Sequence, residues 1–189
     1  MPEDPLDGVL IGGREKVEIV VVDYDPAWPE RFAALADTVR TALGDTALRI
    51  EHIGSTAVPG LAAKPIIDLL VVVEDVADEA AYVPALEAAG FQLRVREPDH
   101  RMLRTPARDV HVHLWEDDDE QRRHLLFRDW LREDADDRER YAAVKRELAR
   151  REWGDMNDYA DAKSPVITEI TARAEAWAAA TGRRYPPAP

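Results

Sequence analysis

Cysteine is missing from all 189 residues. That removes disulfides, zinc–thiolate sites and thiol nucleophiles at once, and a reducing cytoplasm is the default setting for such a chain. Long apolar runs are missing too: none approaches the roughly 20 residues that span a bilayer, so no membrane partner is expected. Positive charge is in deficit. Lys plus Arg is 25 against 38 Asp plus Glu, a net charge of −13, and a field of that sign repels nucleic-acid backbones on average. General nucleic-acid binding is therefore not expected. Arg94, Arg96, Arg101, Arg104 and Arg108 crowd into a segment with few acids, which leaves room for a small phosphorylated ligand.

The 46% hydrophobic content is that of one globular domain with a full core. Residues 1–16, with Pro2, Pro5 and the Gly12-Gly13 pair, read as a flexible leader, 17–181 as a single domain, and 182–189 as a flexible tail. Val17 to Asp23 reads as a strand. Trp28, Phe32, Leu35, Val39 and Leu43 recur at helical spacing, with Pro29 at the start and Gly44 at the end. Leu48 to Ile53 and Ile66 to Val73 read as strands, and Val76 to Ala89 as a helix closed by Gly90. Three short strands follow at Phe91 to Arg96, Met102 to Thr105 and Val110 to Trp115. From Glu120 the pattern is helical, and Ser164-Pro165 reads as an N-cap before a last helix. The acidic run Glu116 to Glu120 suits a turn entering a helix. Strands first and helices last predict an α+β domain: a mixed sheet flanked by helices, with a helical C-terminal layer.

Within Ile66-Ile67-Asp68-Leu69-Leu70-Val71-Val72-Val73 a single acid interrupts seven aliphatic residues. Burying its charge costs several kcal/mol unless a cation or donors compensate, so something is expected to be bound or paired there. Upstream, Gly54-Ser55-Thr56 closes a strand. Such a turn suits an anion, phosphate above all, or else is a tight turn whose hydroxyls cap a helix. It is not a Walker A loop, since no Lys-Ser or Lys-Thr follows Gly60. His111 and His113 share one strand face about 7 Å apart by the strand rise. They either share a ligand or metal, with Asp68 making a two-histidine, one-carboxylate set, or face solvent. Arg123 and His124 at a helix start, with Arg128 one turn on, either point back toward the same pocket or form a charged helix edge, and Lys163 either neutralises a phosphate or is a surface lysine.

Taken together these residues resemble the GrpB family, which is grouped with the nucleotidyltransferase superfamily. The likeness is carried by Tyr24-Asp25-Pro26-Ala27-Trp28-Pro29 with Phe32, by His52 to Leu61, by Lys64-Pro65-Ile66-Ile67-Asp68, by His111-Val112-His113, by Arg123 to Asp129, and by Tyr159 with Lys163. It implies a nucleotidyltransferase-like fold in which Gly54 and Ser55 stand where that superfamily holds nucleotide phosphates. Asp68 would match the superfamily's first metal-binding carboxylate. The second would fall at Leu70 and the third near His111 or His113, and the chain departs from the catalytic pattern at both. A related domain occurs fused to dephospho-coenzyme A kinase, which points to nucleotide-linked metabolism.

The resulting expectation is a nucleotidyltransferase-like protein for a nucleotide or small phosphorylated substrate. Gly54, Ser55, Thr56, Lys64, Arg123, His124 and Lys163 would hold phosphate or substrate. Asp68, His111 and His113 would be both the catalytic set and the ligands of one divalent metal, magnesium or manganese. Two alternatives stand beside it: a regulatory module that binds nucleotide or phosphate without chemistry, favoured by Leu70, and a transition-metal enzyme on the same Asp68, His111 and His113. A monomer or a homodimer is compatible with the pattern.

Overall fold

Ile67–Val72 and Val110–Trp115 are too apolar to face water on both sides, and they pair in parallel at the middle of a five-stranded sheet. The computed structural model describes residues 8–16, 18–154 and 156–185. Its strands are β1 (Arg49–Ile53), β2 (Ile67–Val72), β3 (Gln92–Glu97), β4 (His100–Arg104) and β5 (Val110–Trp115), ordered β1-β2-β5-β4-β3. All other neighbouring pairs are antiparallel, so the sheet is mixed. The expected α+β class holds.

Side-chain alternation along β2 and β5 divides the core in two. Ile67, Leu69, Val71, Val112 and Leu114 pack with Trp28, Val39 and Leu43 of α1 (Trp28–Leu43) and Leu86 of α2 (Val83–Ala88). Leu70, Val72 and Trp115 turn the other way, toward Leu125 of α3 (Asp119–Glu133). Leu69 to Val72 are wholly buried, each contributing about 1.5–3 kcal/mol. The second face is completed by α4 (Ala135–Leu148), α5 (Met156–Asp161) and α6 (Ser164–Thr181). Leu131, Tyr141, Val166 and Ile170 of α3, α4 and α6 close over Val58, Leu61 and Ala62, the loop between β1 and β2. That loop is thereby pinned beneath the helical layer.

The acidic run resolves as a cap: Asp118 Oδ1 accepts from the Gln121 amide at 3.0 Å, starting α3. Three readings are corrected. Residues 18–23 form no strand, only one bridge between Val22 and Ala63, because Pro65 follows at once and offers no amide to extend the pairing. The expected helix over 76–89 shrinks to a 3-10 turn at Glu79–Ala81 and α2, since Pro84 fits only a first helical turn. Tyr82 OH donates to Val76 O at 2.5 Å, folding the rest of that segment into a loop. Ser164 is the first residue of α6 and caps nothing.

The five clustered arginines do not form one basic pocket. Arg96 and Arg101 clasp Glu79, each at 2.6 Å. Arg104 and Arg108 share Glu15 at 2.8 and 3.3 Å. Arg94 donates to the carbonyls of Ile11 and Gly13. Residues 8–16 thus run along the outer edge of β3, where Arg96 N donates to Val9 O at 2.9 Å. At the other end Arg183 and Tyr185 both bond buried Asp129, and residues 186–189 lie outside the described ones. Among the described residues, no helix is long and apolar enough to cross a membrane.

Candidate metal and phosphate site

The parallel register of β2 and β5 sets Asp68 beside His111 and Leu70 beside His113. Asp68 Oδ1 lies 3.2 Å from His111 Nδ1 and 3.5 Å from His113 Nε2. One ligand atom from each of the three falls within 4.8 Å of the others, close enough to share an ion. The acid is less enclosed than its aliphatic neighbours suggest, with 24% of the side chain exposed. Burial alone would raise its pKa, but the adjoining rings of His111 and then His113 hold the carboxyl well below the usual carboxylate range. The site's single acid is therefore ionised.

Gly54 ends β1 at φ 71° and ψ −175°, a conformation open essentially to glycine alone. The chain then makes a 3-10 turn at Ser55–Ala57, held from α3 by Arg132, whose Nε and Nη2 donate to Ala57 O at 3.0 and 2.8 Å. Thr56, expected on phosphate, points inward instead. Its hydroxyl donates to Ile66 O at 3.1 Å, which makes the 3.0 Å contact with His52 a donation from His52 Nε2. With that proton spent, Thr56 braces the turn.

Lys145 of α4 is the residue that inspection of the sequence missed. It is 3% exposed, and its Nζ donates to Ser55 Oγ at 2.8 Å and to Ala62 O. It also lies over the Tyr141 ring at 4.5 Å. Its sequence signal was its place one helical turn after Tyr141 on the inward stripe that ends at Leu148. Lys64 and Lys163, both expected here, flank the Tyr159 ring at 5.2 and 4.7 Å. Burial, then the nearby Lys163 and Lys64, push the Lys145 pKa down to about 6. Burial followed by Lys163 lowers Lys64 to about 8, and burial lowers Lys163. Three lysines with lowered pKa values thus converge in a chain of net charge −13. Tyr159 OH, wholly buried, has no hydrogen-bond partner among the described residues.

His124 reaches the site as expected, stacked against Trp115 at 4.9 Å, with burial lowering its pKa to about 4. Arg123 stays on the rim, exposed and 3.3 Å from Glu120. Arg128 is committed elsewhere, at 2.9 Å from Glu51, 2.8 Å from Asp129 and 2.9 Å from His52 O. A cavity of about 210 Å³ opens between Gly54, Ser55, Arg123, His124 and Tyr141. A second, of about 340 Å³, reaches Lys64 and His111 from the side of β3 and β4. His111 lines the second cavity, and neither His111 nor His113 lines the first. A fourth histidine, His100, also stands here: its Nε2 is 3.0 Å from His113 Nδ1. Burial, then His113 and Arg101, lower its pKa to about 3, so it is neutral.

The family description "GrpB protein" matches residues 18–173. The chain belongs to the GrpB family. Within that family it is 54% identical over 168 residues to UPF0157 protein SCO7215 of Streptomyces coelicolor, covering 88% of this chain and 90% of that one. The crystal structure of conserved protein GrpB from Enterococcus faecalis is 36% identical with a TM-score of 0.74, over 84% of this chain and 99% of that one. Dephospho-CoA kinase of Mycolicibacterium paratuberculosis is 34% identical over 197 residues, which cover 88% of this chain and 48% of the kinase. More distant structures share the fold alone. The GLD-2/RNP-8 complex is 16% identical with a TM-score of 0.56, over 79% of this chain and 60% of that one. Cid1 poly(U) polymerase, MgGTP bound, is 19% identical with a TM-score of 0.50, over 69% of this chain and 45% of that one. The fold of this GrpB protein is nucleotidyltransferase-like.

Proposed function

We propose that this protein holds the phosphates of a nucleotide, or of another small phosphorylated molecule, at the Gly54-Ser55 turn, with Lys64, Lys145 and Lys163 supplying positive charge. Asp68, His111 and His113 would hold a divalent cation beside it. The reading is carried by Lys145. Its buried amine is bonded to the Ser55 hydroxyl, burial and then Lys163 and Lys64 push its pKa down to about 6, and an anion completing the cluster would restore its charge. Phosphate would supply up to three acceptor oxygens and raise the pKa of all three lysines together. The shared fold with a poly(U) polymerase that binds MgGTP supports a nucleotide as the phosphate donor, and the likeness to part of a dephospho-CoA kinase supports a phosphorylated ligand.

For nucleotidyl transfer, an acceptor oxygen would bond to the α-phosphorus as the bond from that phosphorus to the bridging oxygen breaks, releasing pyrophosphate. This chain's part is electrostatic: Lys64, Lys145 and Lys163 would balance the charge gathering on the leaving oxygens, and Ser55 would orient them. The two nitrogen donors and one ionised oxygen suit a bound cation, which would supply further charge neutralisation at the phosphates. Gly54 leaves the backbone open to a ligand.

A second reading has its own observation. Leu70 stands where the superfamily has a second carboxylate, and it is wholly buried among Ile53, Val72, Trp115 and Leu125. One carboxylate instead of three favours a module that binds a nucleotide without turning it over. Titration calorimetry with the four ribonucleoside triphosphates plus Mg²⁺ or Mn²⁺ tests both. Binding weakened at least tenfold by Lys145→Met and by Ser55→Ala supports the phosphate site, and no binding to the wild type rejects it. Turnover lost in Asp68→Asn then separates enzyme from module.

A further inference from the structure

The hairpin of β3 and β4 ends in the pair Glu97 and His100, neither of them among the residues assigned so far to the ion. His100 Nδ1 lies 2.7 Å from Glu97 Oε2, and its Nε2 lies 3.0 Å from His113 Nδ1. A carboxylate only accepts, so His100 donates from Nδ1 to Glu97 and turns its Nε2 to His113 Nδ1. That contact leaves the other nitrogen of His113, Nε2, facing Asp68 Oδ1 at 3.5 Å. For Nε2 to take an ion, Nδ1 must carry the ring hydrogen, and His100 Nε2 stands in place to accept it.

The rings cannot escape the arrangement by turning. His100 stacks on His113 at 5.2 Å with 12° between planes and on Trp115 at 4.4 Å with 16°, and His113 stacks on Trp115 at 5.3 Å. The same oxygen, Asp68 Oδ1, is 3.2 Å from His111 Nδ1. Ligand atoms about 2.1 Å from one ion at tetrahedral to octahedral angles stand about 3.0–3.4 Å apart, so both spacings need only a slight closure. Magnesium prefers oxygens and keeps its waters, whereas imidazole suits the first-row transition ions.

We infer that Glu97 and His100 are positioning residues that turn His113 Nε2 toward Asp68 and His111 and accept the Nδ1 hydrogen when an ion binds, so that Asp68, His111 and His113 select a divalent transition-metal ion over magnesium. This rests on the cation half of the proposed function and not on its phosphate half. A carboxylate behind a histidine that backs a metal ligand acts by orienting the ring and raising its basicity, and losing such a partner costs about 10–100-fold in affinity.

The test uses metal alone, on full-length protein purified without a histidine tag. Titration with Zn²⁺, Co²⁺ and Mg²⁺ is expected to give one site per chain, with Zn²⁺ and Co²⁺ at least 100-fold tighter than Mg²⁺. Glu97→Ala and His100→Phe should each weaken Zn²⁺ by about 10–100-fold, and a long-range nitrogen–proton correlation spectrum of the zinc-loaded protein should show His113 protonated at Nδ1 and bare at Nε2. Glu97 is half exposed, so its variant folds even where His100→Phe does not. Magnesium binding as tightly as zinc, an Nε2–H tautomer, or unchanged zinc affinity in Glu97→Ala each overturns the inference. Nucleotide binding supported by magnesium with no transition-metal site would leave the phosphate reading standing and this one fallen, and zinc binding without nucleotide binding would do the reverse.

Discussion

The carboxylate of Asp68 occupies the space that a side chain at Gly54 would need: an added Cβ would stand 2.4 Å from its Oδ2. A glycine at the end of β1 and an acid in β2 are thus two halves of one packing decision, and each fixes how close the turn lies to the candidate ion site.

Gly54→Ala combines that clash with a backbone conformation few other residues adopt, at φ 71°. Destabilisation of about 1–3 kcal/mol is expected, read as a lower urea midpoint. Coupling is the sharper readout: in the Asp68→Ala background the same change should cost measurably less, because the atom it strikes is gone. Additive costs would show that the contact is relieved some other way.

Lys145 should weaken the fold that it serves. Its folded pKa, about 6, lies below its ordinary value of 10.5, so between those two the unfolded chain holds the extra proton. Stability contributed by this group therefore rises with pH across that window. Lys145→Met is expected to raise unfolding free energy at pH 7, on the order of a few kcal/mol less the lost bonds to Ser55 and Ala62. The gain should fade as pH approaches 10.5. Denaturant curves at pH 7 and pH 10 check the sign.

Ser55 and Thr56 are adjacent hydroxyls with different jobs. Thr56→Val strands Ile66 O and the ring of His52, at a cost of about 1–3 kcal/mol, with phosphate affinity unchanged in the folded fraction. Ser55→Ala is expected to do the opposite, sparing stability and weakening nucleotide binding. Thermal melts paired with calorimetry on both variants separate the two roles, and equal effects would remove the distinction.

His52 supplies a pH dependence away from the ion site. Burial pushes its pKa down to about 4 from 6.5, so the unfolded state takes up the proton first as pH falls. Stability tied to this neutral ring is complete above pH 6.5 and is lost on the way to about pH 4, on the order of 2 kcal/mol. His52→Gln should flatten that acid limb in a series of urea titrations, and a limb of unchanged slope would assign it to other groups.

The sequence by itself determined the mixed sheet, the helical C-terminal layer, the isolated acid in β2 and the shared face of His111 and His113, because these rest on local periodicity and on the cost of burying charge. It also marked Gly54, whose need for a positive φ is a property of one residue. It overstated the strand at Val17 to Asp23 and the helix over 76–89, where β propensity found a one-residue partner and where Pro84 set a late start. Only the tertiary structure decided that Thr56 turns inward, that the clustered arginines are divided between Glu79 and Glu15, and that Lys145 and His100 join the site. Ser55 and Lys145 meet across 90 positions of chain, and His100 reaches His113 through strand pairing. Contacts made by two elements folding onto each other leave no periodic trace in either one.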